Sequence, residues 1–237
     1  MGKSLIQQAR GKGGPVYRSK SFAFAGDAKL RPEPTSLVKG TVTDIIKCPG
    51  HSAPLIEVKY DDGVECLMQA PEFIKIGDVL QTGPGGEVAA GNTLALKEIP
   101  EGTPVFNIES QPGDGGKFCR TGGSAARIIA KTESYATIQL PSKKERLFNL
   151  KCRACVGIIA AGGRLEKPML KAGNKHFRKR MKNKRWPNPA GGAQNAVDHP
   201  YGNKRTSRKA HKKSVGHFAP PGKKVGSLWP RRTGRKK

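Results

Sequence analysis

Apolar and polar positions alternate in short runs through the middle of the chain, and that alternation predicts strands. Leu37-Val-Lys-Gly-Thr-Val-Thr-Asp-Ile-Ile46 mixes β-branched and polar residues and stops at Pro49-Gly50. Pro54-Leu-Ile-Glu-Val-Lys-Tyr60 alternates, turns at Asp61-Asp62-Gly63 and returns as Val64-Glu-Cys-Leu-Met68, the pattern of a hairpin. Residues 76–81 and 92–96 continue it on either side of Gly83-Pro84-Gly85-Gly86. A second set covers residues 103–109, 125–130, 135–140 and 145–150, and residues 155–159 read as its closing strand. Many short strands with frequent turns predict small closed barrels, with a break near residues 99–101.

Outside this region the period fades. Residues 1–35 show no sustained repeat; Ser21-Phe22-Ala23-Phe24 is the one apolar knot, with Phe22 or Phe24 expected to pack on the core or on a base. Beyond Leu170, residues 175–185 predict one short helix bounded by Gly173-Asn174 and Trp186-Pro187. Residues after Trp186 read as irregular chain. The organisation is therefore a basic extension over 1–35, barrels over 36–100 and 101–170, and a basic extension over 171–237.

Charge sharpens that division. The formal net charge is +26, and it is unevenly placed. Residues 36–170 carry 16 basic and 15 acidic side chains, whereas residues 171–237 carry 21 basic ones against Asp198 alone. A neutral core with cationic arms would repel itself unless a polyanion supplied the counter-charge. The arms are accordingly expected to order on RNA, with a transient RNA-binding translation factor as one alternative to permanent residence. No apolar run is long enough to cross a bilayer, and no secretory leader is visible, so no membrane partner is expected. Five cysteines without a leader read as reduced thiols of the cytoplasm.

Catalytic patterns are sparse. No phosphate-cradling loop ending in Lys-Ser or Lys-Thr follows a strand. Gln111-Pro-Gly-Asp-Gly-Gly-Lys117 is glycine-rich but lies between strands, so Lys117 and Arg120 read as phosphate contacts. Cys152-x-x-Cys155 is half of a zinc site without a matching pair, and no metal or other cofactor is expected. A zinc- or thiol-dependent nucleic-acid enzyme using Cys152, Cys155 and His199 is the competing class. Asp198 and His199 would point to opposite sides in extended chain, which makes Asp198 a poor orienting partner. A turn over Asp198-His-Pro-Tyr-Gly202, docked on RNA, is the alternative to proton transfer. Trp186 and Trp229 lie in basic tracts, where stacking on a base would bury them.

The motifs then converge. Gly2-Lys3 with Arg10-Gly11-Lys12-Gly13, Pro112-Gly-Asp-Gly-Gly-Lys117, Gly162-Gly-Arg164 with Glu166-Lys167-Pro168, and Lys171-Ala-Gly173 occur in that order. Trp186-Pro187, Asn195-Ala-Val-Asp198-His199-Pro200, and Gly222-Lys-Lys-Val-Gly226 leading to Arg231-Arg232-Thr-Gly-Arg235 follow. In this order they resemble the large-subunit ribosomal protein two ("L-two") family in its archaeal or eukaryote-like form. The resemblance implies an all-β fold, an oligonucleotide-binding-type barrel followed by an SH3-like barrel, with both extensions threaded into large-subunit rRNA. It implies rRNA contacts at the cations of these motifs and at Arg178, Lys179 and Arg180, with Trp186, Asn195, Asp198 and His199 among them. It also implies neighbouring ribosomal proteins and the small subunit as partners, support of tRNA binding and of an RNA-catalysed peptidyl transferase centre, and no enzymatic activity of the protein itself. The chain departs from the family pattern at Ala190-Gly-Gly-Ala-Gln-Asn195 and at Asn203-Lys204-Arg205.

Overall fold

The computed structural model describes residues 3, 5–203 and 214–228. Ten strands form one continuous sheet: β1 (Val38–Ile46), β2 (Leu55–Tyr60), β3 (Glu65–Gln69), β4 (Val79–Thr82), β5 (Thr93–Ala95), β6 (Pro104–Phe106), β7 (Ala126–Lys131), β8 (Tyr135–Gln139), β9 (Glu145–Asn149) and β10 (Arg153–Val156). Their order is β3-β2-β1-β4-β5-β10-β6-β7-β8-β9. All pairings are antiparallel except β4 with β5, which meet in parallel at Thr82 and Thr93. The fold is all-β, an oligonucleotide-binding-type half followed by an SH3-like half.

The strand positions follow the hydrophobic period. On β7, Ala126 and Ile128 face inward while Arg127 and Ile129 are exposed; on β8, Ala136 and Ile138 alternate with Tyr135 and Gln139 in the same way. One expected strand is displaced: residues 155–159 were to close the second set, but β10 runs from Arg153 to Val156. Gly157 still bonds Pro104 O at 2.8 Å, but its φ of +110° breaks the extended backbone and ends the strand.

Two buried clusters fill the halves, and they interlock. The first gathers Val42, Ile56, Val58, Met68 and Leu80, and takes Phe106, Cys155 and Ile159 from the second half of the chain. The second gathers Val105, Ile108, Ile128, Ile138 and Phe148, and takes Leu94, Leu96 and Ile99 from the first half. Strand β10 divides between them: Cys155 enters one core while Ala154 and Val156 enter the other. A strand buried on both faces needs apolar or satisfied residues at every position, and β10 is buried throughout.

The chain separates into two compact units, Lys20–Met169 and the described parts of Met1–Ser19 with Leu170–Lys237. The barrel unit therefore begins before residue 36. Ala28, Leu30 and Arg31 are buried, Phe24 packs with Ala28, Cys48 and Leu55, and Phe22 stays exposed. Lys29 donates its backbone N–H to Leu67 O at 2.8 Å, which covers part of the free edge of β3. Among its described residues the other unit holds two α-helices. Residues 1–35 read as irregular, yet Ile6–Gly11 forms a short helix, α1. The second, α2, spans Ala172–Met181 rather than residues 175–185. It begins earlier because Lys171, in extended backbone, supplies the N-terminal break. Its last turn carries Arg178, Lys179 and Arg180, which suits the negative end of the helix dipole.

Candidate nucleic-acid interface

Within the barrel unit the glycine-rich loop after β6 is built around two carboxylates. Glu109 is fully buried. Its oxygens accept N–H groups from Gly113 at 3.2 Å, Gly115 at 3.3 Å and the Arg153 backbone at 2.9 Å, and the Arg153 guanidinium at 2.6 Å. Asp114 accepts from the backbone of Ser110, Gln111 and Gly116. Gly116, at φ +88°, lies so close to Asn107 that a side chain would overlap it. The loop's N–H groups thus point at the protein's own carboxylates, and what it offers a phosphate is the exposed Lys117.

Arg120 is half-buried and donates to Ala28 O, and burial lowers its pKa. Arg164, also half-buried, donates its Nε–H to Gly122 O at 3.3 Å, while Lys167 is exposed. The sequence offers one sign of Glu109's role: a carboxylate ending the apolar run Val105-Phe-Asn-Ile, immediately before a glycine-rich loop.

Among the described residues of the other unit nearly every cation is exposed. Lys12, Lys171, Arg178, Lys179 and Arg180 all face solvent, the last four at the start of or along α2. Trp186 is half-buried, with Lys175 Nζ 5.4 Å from its ring centroid. Asn183 on the segment after α2 donates to Pro15 O at 2.7 Å and Arg18 O at 2.6 Å.

Four of the sequence-selected residues meet at one turn. The backbone N–H groups of Asp198 and His199 both bond Asn195 O, at 3.0 and 3.1 Å, so the segment is a turn and not extended chain. His199 Nδ1 accepts the Tyr201 N–H at 3.0 Å. Its ring lies against Gly191, where a methyl group would overlap it. The Asp198 carboxylate faces Lys3 at 3.9 Å, and Lys3 N–H bonds Val197 O at 2.9 Å. Arg10 donates to Asn188 Oδ1 at 3.3 Å. Leu5 escapes sequence reading, since nothing local marks a residue that meets the turn across the length of the chain. Arg231, Arg232, Arg235, His211 and Trp229 lie outside the described residues.

The thiols offer little chemistry. Cys152 packs in one core and Cys155 in the other, so the two side chains do not converge on a common ligand. Burial pushes the Cys152 thiol up to about 11 and Cys155 to about 12, which keeps both protonated near neutrality. Among the described residues no three His, Cys, Asp or Glu side chains are grouped to hold a metal ion. Among the same residues no helix is long and apolar enough to cross a membrane.

Comparison with known proteins bears on the same residues. Residues 89–219 match the family model described as Ribosomal Proteins L2, C-terminal domain. A protein of Methanothermobacter thermautotrophicus named large ribosomal subunit protein uL2 is 46% identical over 241 residues, covering 100% of both chains. Its namesake from Natronomonas pharaonis is 45% identical over 236 residues, 99% of this chain and 97% of the relative. That of Haloarcula marismortui is 44% identical over 236 residues, 99% and 98% respectively. Matches of this extent, on a chain with an all-β core and strongly cationic termini, show that it belongs to the ribosomal protein L2 family, in its archaeal form.

Proposed function

We propose that the protein is a structural constituent of the large ribosomal subunit that holds rRNA chiefly with its terminal unit. One observation carries this reading: the division into units is also a division of charge. Residues 20–169 contain 19 basic and 17 acidic side chains, whereas residues 1–19 with 170–237 contain 25 basic and one acidic. A body with a single carboxylate needs phosphate around it, and counterion release makes that binding favourable.

Large-subunit rRNA and neighbouring ribosomal proteins are the partners, with the small subunit reached through an intersubunit face. The finer roles are association of the subunits, tRNA binding and support of the peptidyl transferase centre, near which the His199 turn would sit. The protein supplies hydrogen-bond donors and shape there, and the catalyst is RNA. The buried, protonated thiols favour this over a thiol- or zinc-dependent enzyme.

The test is the salt dependence of binding to large-subunit rRNA. Each neutralised phosphate contributes roughly −0.7 to −0.9 to the log–log slope. Deleting residues 173–237 removes 20 of the 44 basic residues and should flatten the slope markedly. An unchanged slope would show that the C-terminal segment does not carry the phosphate contacts and overturn the reading.

A further inference from the structure

We propose that the N-terminal arm is a clamp that holds the His199 turn in shape, with Leu5 as its buried anchor and Lys3 and Arg10 as positioning residues. The functional use of that turn rests on the ribosomal reading above; the clamp itself is internal to the chain.

The turn cannot hold itself by burial. Val197 is 48% exposed and the segment 190–203 has no other large aliphatic side chain. What it lacks comes from nearly two hundred residues earlier. Leu5 is 4% exposed although it belongs to a short, mostly polar arm. It lines a cavity of about 190 Å³ together with Ile6, Arg10, Pro189, Gly191 and His199. The Lys3 N–H adds a backbone bond to Val197 O at 2.9 Å, and the Arg10 guanidinium reaches Asn188, which lines the same cavity, at 3.3 Å. The Lys3–Asp198 pair is 3.9 Å long and its lysine is 76% exposed, so it adds little by itself. Leu5 and the backbone bond therefore carry the clamp.

The consequence falls on the imidazole. With Nδ1 accepting the Tyr201 N–H, the neutral ring keeps its proton on Nε2. Gly191 packs against the ring, and only a residue without a side chain leaves room for the ring there. His199 is thus presented as an oriented hydrogen-bond donor whose partner must be an acceptor, such as a phosphate or base oxygen. Two cations that the sequence assigns to RNA also make contacts within the protein: Lys3 bonds Val197 O through its backbone and Arg10 bonds Asn188 through its side chain.

The test is hydrogen exchange of the full-length chain without RNA in about 1 M potassium chloride, where the Debye length is about 3 Å and self-repulsion of the cations is screened. The reporters are the Asp198, His199 and Gly202 amides, whose acceptors are Asn195 O, Asn195 O and His199 O. Leu5→Ser should speed their exchange by about tenfold or more, because a buried leucine is lost, while Leu5→Met stays near wild type. The Ile56 and Ile138 amides of the barrel unit should be unchanged, which separates loss of the clamp from loss of folding. Ring ¹⁵N spectra should show His199 fixed with Nδ1 unprotonated in the wild type and averaging between tautomers in Leu5→Ser. Intrinsic exchange rates at the turn in the wild type, or equal rates in Leu5→Ser, would overturn the clamp. Since no RNA is present, that result would leave the rRNA reading standing, and an unchanged salt slope would leave the clamp standing.

Discussion

Glu109 and Arg153 form the most consequential pair of side chains in the barrel unit. Both are buried, 0% and 3% exposed, and their bond of 2.6 Å joins the glycine-rich loop to β10. Arg153 also donates to Arg31 O at 3.0 Å, so the pair fastens the N-terminal segment as well. A buried charge left without its partner is costly, and Glu109→Leu should destabilise the barrel unit by about 3–5 kcal/mol. Urea unfolding of the variant checks this; a midpoint within error of wild type would refute it. The thiols make a second residue-scale prediction. Burial raises Cys119 and Cys152 to about 11 and Cys155 to about 12, from 9.0 in the unfolded chain. Below pH 9 both states hold the protons and the contribution is complete. As pH rises from 9 towards 12 the unfolded chain loses protons that the native state keeps, so stability falls. Replacing Cys155 by Ala should make the denaturation midpoint less dependent on pH across that window, and an equal dependence would count against burial as the cause.

At the scale of elements, the segment 20–35 behaves as part of the barrel unit although its composition resembles the arm. Its charge and its prolines hide two things: Leu30 is 6% exposed, and its backbone N–H bonds Gly115 O at 3.0 Å. Removing it would expose one leucine site, worth about 1.5–3 kcal/mol. It would also strip an acceptor from each of Arg120 and Arg153, at about 1–3 kcal/mol apiece. A fragment of residues 36–169 should therefore unfold at clearly lower urea than one of residues 20–169, by about 3 kcal/mol or more. Coincident unfolding curves would show the segment to be dispensable. The same comparison explains why β10 is misplaced by periodicity: a strand buried on both faces has no alternation to read, so only Gly157 marks its end.

At the scale of the molecule, charge was legible from composition because it needs no geometry. The excess of cations at both termini, the balanced middle and the alternation of Ile128, Ala136 and Ile138 are all written in order along the chain. From these the sequence by itself determined an all-β core, two cationic extensions and a polyanionic partner, and its motifs carried the family. Tertiary structure alone decided what depends on residues far apart in sequence. It passed Leu94, Leu96 and Ile99 to the second core and Phe106 and Cys155 to the first, across the break that turns and composition suggest near residue 100. It turned the glycine-rich loop inward onto Glu109, and it brought Leu5 and Lys3 to the His199 turn. The physical reason is common to all three. Periodicity reports which face of an element is buried, whereas the partner on that face is chosen by packing and by satisfying buried hydrogen bonds.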